Sequence, residues 1–185
     1  MKIIDGRVLA EKIKDKIIIE ILGKDFFEEQ NCRDSSCVCH IHKENDKEKK
    51  HLLICPRPNL AIILIGDRED SELYVGLKEK EAKKVGIDTH LYKCGENISE
   101  KEVLEMINFL NNDKTVDGIL VQLPLPEQLD TDKIIGSIKK EKDIDGFHPD
   151  NLKIISECCG EDCPPELQRR GVMPPVFGAC LEMLK

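Results

Sequence analysis

The sequence contains no tryptophan, and it has only five phenylalanines and two tyrosines among 185 residues. So few aromatic rings argue against a single-strand nucleic-acid platform, on which bases stack on aromatic side chains. Basic residues are also outnumbered, since 28 lysines and arginines face 36 aspartates and glutamates and leave a formal net charge of −8. A chain with this balance binds a phosphate backbone poorly. Nucleic acid is therefore not expected as a partner.

Long apolar runs are missing as well. No stretch of about 18 apolar residues occurs, so neither a transmembrane helix nor a membrane partner is expected. Residues 1–16, MKIIDGRVLAEKIKDK, interrupt each apolar run with charges and lack the apolar segment of a signal peptide. The nine cysteines are an odd number without a secretory signal. We interpret them as reduced thiols in the cytoplasm rather than as a disulfide framework.

The residues that are present alternate between helical and strand patterns. Apolar residues at helical spacing predict a helix over residues 5–22, with Asp5 as its N-cap. Short apolar runs then predict strands over residues 59–66, 87–93 and 116–122. Helical patterns between and after them predict four helices. One covers residues 71–85 with Ser71 as its N-cap, and one covers residues 99–110 with a Ser99–Glu102 capping box at its start. The others cover residues 131–138 and the segment from 178 onward. This order predicts an α/β fold in three layers, with a doubly wound, mostly parallel sheet and helices on both faces.

Residues 24–56 interrupt this alternation. They show no sustained periodicity and carry many charges of both signs, which is typical of an inserted, mobile loop. Their thiols and imidazoles leave a zinc site open as an alternative hypothesis, with weak candidate ligands at Cys32, Cys37, Cys39 and His40 and further ones at His42, His51 and Cys55. The spacing differs from the paired C-x₂-C knuckles of familiar zinc modules, so incidental cysteines in a polar loop are the simpler interpretation.

Polar side chains follow the predicted strands at the edge where parallel sheets bind ligands. Tyr74 and Lys78 are four residues apart and share one helix face, so a ring and an amine lie side by side. Gln122 ends an apolar strand, and Asp145 lies in an Asp-x-Asp-Gly turn. Each of these residues also has an ordinary structural interpretation. Tyr74 and Lys78 could simply lie on the surface of a charged helix, Gln122 could hydrogen-bond the backbone of a nearby loop, and Asp145 could stabilise the turn in which it lies.

Three segments carry a more specific signal. SELYVGLKEKEAKKVGI, TVDGILVQLPLPEQL and KEKDIDGFHPDN resemble, in order and spacing, the bifunctional methylenetetrahydrofolate dehydrogenase / methenyltetrahydrofolate cyclohydrolase family. KIIDGRVLAEKI is similar to the opening helix of that family. The resemblance covers residues 1–22 and 57–152.

The resemblance implies a role for each matching residue. Lys78 would be the catalytic lysine, and Gln122 would hydrogen-bond it and join it as a catalytic residue. Tyr74 would stack on the folate and Asp145 would hold its pteridine ring. Val121 and Leu123 would line the same pocket beside Gln122.

The resemblance also implies an activity and a setting. The family oxidises 5,10-methylenetetrahydrofolate with NAD(P)+ and hydrolyses the methenyl product to 10-formyltetrahydrofolate, in cytoplasmic one-carbon metabolism that supplies purine biosynthesis. Residues 1–152 would form the folate-binding catalytic domain, interrupted by the insert at 24–56. Residues 153–185 would form a linker and the start of the interdomain helix.

The chain departs from the family in its second half. No glycine-rich strand–turn–helix follows residue 152, so NADP would be bound by a Rossmann domain that this chain lacks. We therefore expect the isolated 185 residues to be weakly active or inactive. We also expect them to be monomeric, whereas the full-length family is homodimeric. A folate-binding remnant without turnover is the alternative hypothesis.

Overall fold

Three parallel strands form the centre of the structure. The computed structural model describes residues 5–22, 57–157 and 172–184. Within them, β1 (Asn59–Ile65) lies between β2 (Asp88–Cys94) and β3 (Gly118–Val121) and pairs in parallel with both. The chain thus leaves β1 toward one edge and returns to the other side, which is the strand-order reversal of a doubly wound sheet.

Helices cover both faces of this sheet, as predicted. In chain order they are α1 (Gly6–Leu22), α2 (Glu69–Lys84), α3 (Glu100–Asn112), α4 (Thr131–Gly136), α5 (Pro149–Glu157) and α6 (Pro175–Leu184). Successive strand residues point to opposite faces. Ile63 therefore packs in the cluster that holds Ile107 of α3 and Ile134 of α4. Its neighbour Ile62 packs in a separate cluster with Val75 of α2.

Two of the three predicted helix caps are present. Asp5 Oδ1 accepts a hydrogen bond from the Arg7 backbone N–H at 2.9 Å, and Ser99 forms a reciprocal capping box with Glu102. The prediction that Ser71 caps α2 is wrong. That helix begins two residues earlier, after Arg68, and Ser71 is buried in its first turn. Carboxylates at three positions of this turn favour the earlier start, because they complement the positive end of the helix: Glu69, Asp70 and Glu72.

The sequence pattern also misjudged some other element ends. β3 ends at Val121, so Gln122 lies just beyond the strand. Helix α5 was not predicted, and α6 begins at Pro175 rather than at residue 178. Both helices carry proline at their first position, where the fixed φ angle of proline suits a helix and its missing N–H is not needed.

An ion-pair cluster joins α1 to α2. Lys14 of α1 pairs with Glu81 of α2, which also pairs with Lys84 at 2.6 Å. Hydrogen bonds from Lys14 and then Lys84 lower the pKa of the half-buried Glu81 carboxyl to about 2. The ion pairs thereby tie the first helix to α2.

Residues 24–56, with all the candidate zinc ligands, lie outside the described residues. Among the helices that the structure does describe, none is long and apolar enough to cross a membrane.

Candidate functional site

A lysine and a glutamine meet where α2 passes β3. Lys78 is half-buried, and its Nζ donates a hydrogen bond to Gln122 Oε1 at 3.1 Å. The nitrogen of the same side-chain amide is also bonded, because Gln122 Nε2 donates a hydrogen bond to the Leu123 carbonyl at 2.8 Å. The Gln122 backbone N–H donates to the Ile63 carbonyl at 2.9 Å and extends the β1–β3 ladder by one residue. These bonds leave Oε1 as the atom that faces the lysine amine.

Packing of α2 explains why Lys78 points this way. Val75 is buried in the cluster that covers one face of the sheet, together with Ile62 and Leu120. Lys78 follows Val75 by three residues and so lies on nearly the same side of the helix. The packing that buries Val75 against the sheet therefore also directs Lys78 toward the end of β3.

Asp145 lies close to this pair. Burial raises the pKa of its carboxyl above the ordinary value, the nearby charge of Lys78 lowers it, and the charge of Asp143 raises it further. Lys78 thus acts electrostatically on Asp145 and by a hydrogen bond on Gln122. The structure brings together a cation, an anion and an amide that the sequence separates by 67 positions, from 78 to 145.

Tyr74 lies one helical turn before Lys78 on α2 and is 59% exposed. Its ring shares a helix face with Lys78, and the exposed Leu77 follows it by three residues, so an apolar surface lies next to the amine. Such a surface suits stacking on a flat heterocycle.

The two residues that flank Gln122 are placed differently from each other. Leu123 is half-buried after the strand end. The Val121 side chain is buried in the cluster that α3 and α4 cover, on the face of the sheet opposite α2. Val121 could therefore border a pocket at Lys78 only through its backbone, because strand alternation turns its side chain away.

Sequence reasoning missed two buried polar residues behind Asp145. Asp143 is 2% exposed and Asn151 is 1% exposed. Asp143 Oδ1 accepts from the Gly146 backbone N–H at 3.1 Å, and Oδ2 accepts from the His148 backbone N–H at 2.8 Å and from Asn151 Nδ2 at 2.9 Å. The Asp-x-Asp-Gly pattern could have pointed to Asp143, since a turn aspartate commonly bonds backbone N–H groups that follow it. Nothing in the pattern indicated Asn151.

The part of the chain that the structure describes contains no candidate metal site, that is, no group of three or more His, Cys, Asp or Glu side chains able to hold an ion. In the same part, Cys94 and Cys180 are free thiols.

A family model described as the catalytic domain of tetrahydrofolate dehydrogenase/cyclohydrolase matches residues 4–145. The match includes the Lys78–Gln122 pair, Tyr74 and Asp145. The chain belongs to this family.

Individual members of the family agree with the match. The bifunctional protein FolD of Prochlorococcus marinus is 47% identical over 116 residues, which are 63% of this chain and 38% of that protein. The crystal structure of the bifunctional FolD dehydrogenase/cyclohydrolase from Campylobacter jejuni superposes with a TM-score of 0.72 at 31% identity, covering 97% of this chain and 51% of that one. The Trypanosoma brucei enzyme, solved with NADP cofactor and inhibitor, gives 0.63 at 27% identity, with 84% and 45% covered. The chain spans about half the length or less of these family members.

The raised pKa of Asp145 predicts a pH-dependent effect of removing its charge. Because the fold disfavours the ionised carboxyl, the native state carries a penalty above the folded pKa, and the penalty disappears once the group is protonated. Asp145→Asn is therefore expected to raise the free energy of unfolding at pH 7, with a gain that shrinks as pH falls below the raised pKa and is gone below the ordinary pKa of an aspartate in the unfolded chain. Urea denaturation at several pH values measures this.

The matched control is Glu141→Gln, which removes an exposed carboxylate four residues away. It is expected to leave stability within about 0.5 kcal/mol at each pH. A loss of stability in Asp145→Asn at pH 7 would contradict the prediction, since the Lys78 attraction would then outweigh burial.

Proposed function

We propose that this chain carries the folate-binding catalytic part of a methylenetetrahydrofolate dehydrogenase / methenyltetrahydrofolate cyclohydrolase. The observation that carries the proposal is the 3.1 Å hydrogen bond from Lys78 Nζ to Gln122 Oε1, beside a half-buried Asp145. A positioned amine next to a carboxylate and an exposed ring suits a substrate that is flat, offers N–H donors and exchanges a proton.

Substrate binding is assigned to Tyr74 and Asp145. The pteridine ring of a folate presents a planar face and adjacent N–H groups along one edge. The exposed Tyr74 ring would stack on the face, and the Asp145 carboxylate would accept hydrogen bonds from the edge, where a charged acceptor adds strength. Leu123, and Val121 through its backbone alone, would border the bound folate on either side of Gln122.

Proton transfer in the cyclohydrolase step is assigned to Lys78. Water adds to the methenyl carbon of 5,10-methenyltetrahydrofolate, the amine takes a proton from that water, and a proton returns to N5 as its bond to the carbon breaks. The products are 10-formyltetrahydrofolate and one released proton. A folate seated over α2 would exclude water from the half-buried Lys78, and loss of water favours the uncharged amine that can accept a proton. Gln122 would hold the amine in place throughout.

The nicotinamide cofactor would accept the hydride in the dehydrogenase step, but the described residues do not fit a dinucleotide. The turn after β1, where a nucleotide-binding fold places a pyrophosphate, contains a single glycine, Gly66. The helix that follows opens with three carboxylates, Glu69, Asp70 and Glu72, which would repel phosphate. We therefore assign no hydride-transfer step to these residues.

The wider arrangement follows the family. Residues 1–152 would be the catalytic domain with its insert at 24–56, and residues 153–185 would lead toward a nucleotide-binding domain that holds NADP. The protein would work in the cytoplasm, in one-carbon metabolism that supplies purine biosynthesis. Full-length relatives would form homodimers, and the 185-residue chain alone would be monomeric.

Isothermal titration calorimetry with tetrahydrofolate tests the proposal. Saturable binding by the purified 185-residue chain is expected, and Asp145→Ala is expected to weaken it. Hydrolysis of 5,10-methenyltetrahydrofolate, followed by its absorbance, then separates an enzyme from a folate-binding remnant, which would bind without turnover. Absence of saturable binding would overturn the proposed function.

A further inference from the structure

A buried carboxylate lies directly behind Asp145. Asp143 is 2% exposed, and the hydrogen-bond donors that the described residues supply to it are two backbone N–H groups and one side-chain amide. Burying a carboxylate is costly unless hydrogen bonds compensate it. Here three donors compensate the cost, so the carboxylate two residues before the proposed folate ligand is held by partners of its own.

The bonds of Asp143 wrap the chain around its carboxylate. The Gly146 N–H donates to Asp143 Oδ1, so residues 143–146 form a turn closed by this bond, and the His148 N–H holds the next two residues to the same carboxylate. Asp145 lies inside the 143–146 turn. Its backbone course is therefore set by the carboxylate two residues before it rather than by a helix or strand.

The same loop is tied to the sheet. The backbone at Asp143 forms a parallel bridge with Ile119 of β3, and the Ile119 N–H donates to the Lys142 carbonyl at 2.7 Å. Gln122 follows Ile119 by three residues and lies just beyond the end of β3. This backbone pairing therefore links the strand that leads to Gln122, the partner of Lys78, with the loop that contains Asp145.

Asn151 completes the connection from α5. Its Nδ2 donates to Asp143 Oδ2 at 2.9 Å and to the Lys140 carbonyl at 3.1 Å, and its Oδ1 accepts from the Val172 N–H at 3.4 Å. Asn151 is 1% exposed, so these contacts use an amide that cannot reach a ligand directly. Asn151 therefore supports the loop from inside the fold and does not contact a ligand itself.

We propose that Asp143 and Asn151 are positioning residues that set the orientation of Asp145 toward the folate. The inference rests on the proposed function, because it concerns how Asp145 is oriented to bind the folate. If these hydrogen bonds are weakened, the loop can move and Asp145 is displaced. A small displacement of a binding group lowers the affinity for the ligand substantially. We expect Asn151→Ala and Asp143→Asn to weaken tetrahydrofolate binding about tenfold each, with Asp150→Asn as the matched exposed control.

A double-mutant cycle separates positioning from general damage. In an Asp145→Ala background, Asn151→Ala is expected to change the Kd for tetrahydrofolate by less than twofold, because the residue that it positions is gone. Binding is measured by calorimetry on the 185-residue chain, well below the unfolding midpoint of each variant. An equal tenfold loss in both backgrounds would overturn the inference, as would an unchanged Kd in both single variants.

Whether the Asn151→Ala and Asp143→Asn variants fold also tests the inference. If one variant fails to fold, the other carries the cycle. If both fail, the two residues hold the core and the inference is overturned. Absence of tetrahydrofolate binding by the unsubstituted chain would instead show that the proposed function fails, and the inference would fall with it.

Discussion

Lys78→Met is expected to slow hydrolysis of 5,10-methenyltetrahydrofolate by about 10²- to 10⁴-fold, which is the usual contribution of a positioned proton carrier. Methionine keeps much of the length of the side chain but can neither take a proton from water nor return one to the leaving nitrogen. It also leaves Gln122 Oε1 without its 3.1 Å donor. The initial rate of absorbance loss, measured with the same preparation of folate, gives the ratio.

The matched control is Lys80→Met, which removes an exposed lysine two residues along the same helix. Residues two apart face different sides of a helix, so this change is expected to leave the rate within about twofold. A Lys78→Met rate within threefold of the unsubstituted rate would contradict the assignment of Lys78. Turnover that is absent from the unsubstituted chain, with folate binding intact, would favour the remnant hypothesis.

Gly146→Ala is expected to lower the free energy of unfolding by about 2–4 kcal/mol. Gly146 has a φ of +69°, which side chains of L-residues rarely adopt. An added Cβ would also lie 2.5 Å from the Val172 carbonyl oxygen and 2.9 Å from the Pro174 nitrogen. Both are backbone atoms, so the 172–174 segment must move. Urea denaturation measures the loss, and tetrahydrofolate affinity is expected to fall with it because Asp145 is the adjacent residue.

Gly76→Ala provides the control with the opposite expected sign. Gly76 lies exposed inside α2, and an added Cβ would meet nothing within 4 Å. Alanine in a helix interior is more favourable than glycine, so a gain of about 0.5–1 kcal/mol is expected. Equal stabilities of the two alanine variants would show that the turn at Gly146 tolerates a side chain and would contradict the prediction.

Local signals in the sequence determined most of the architecture. Short apolar runs ending in turn residues predicted β1, β2 and β3 to within about two residues, because a buried parallel strand needs an unbroken apolar stretch. The Ser99–Glu102 capping box predicted the start of α3. The i, i+4 spacing of Tyr74 and Lys78 placed them on one helix face before any contact was known.

Motif resemblance rather than spacing singled out the site. Gln122 and Asp145 each had an ordinary turn or loop interpretation, and only the combination of VQLPLP, DIDGFHP and the upstream tyrosine and lysine pointed to folate chemistry. The structure adds the 3.1 Å contact between Lys78 and Gln122. That contact depends on how α2 packs on the sheet, which sequence spacing does not encode.

Only the tertiary structure decided which polar residues lie inside. Asp143 and Asn151 read as ordinary residues of a polar stretch, yet both are buried and bonded to each other. Val121 reads as a pocket residue, yet its side chain packs on the opposite face of the sheet. Burial of a polar group depends on partners from several segments: the sheet edge at Ile119, the loop at Gly146 and the chain at Val172. These partners come together only once the chain has folded, so a local pattern carries no signal of them.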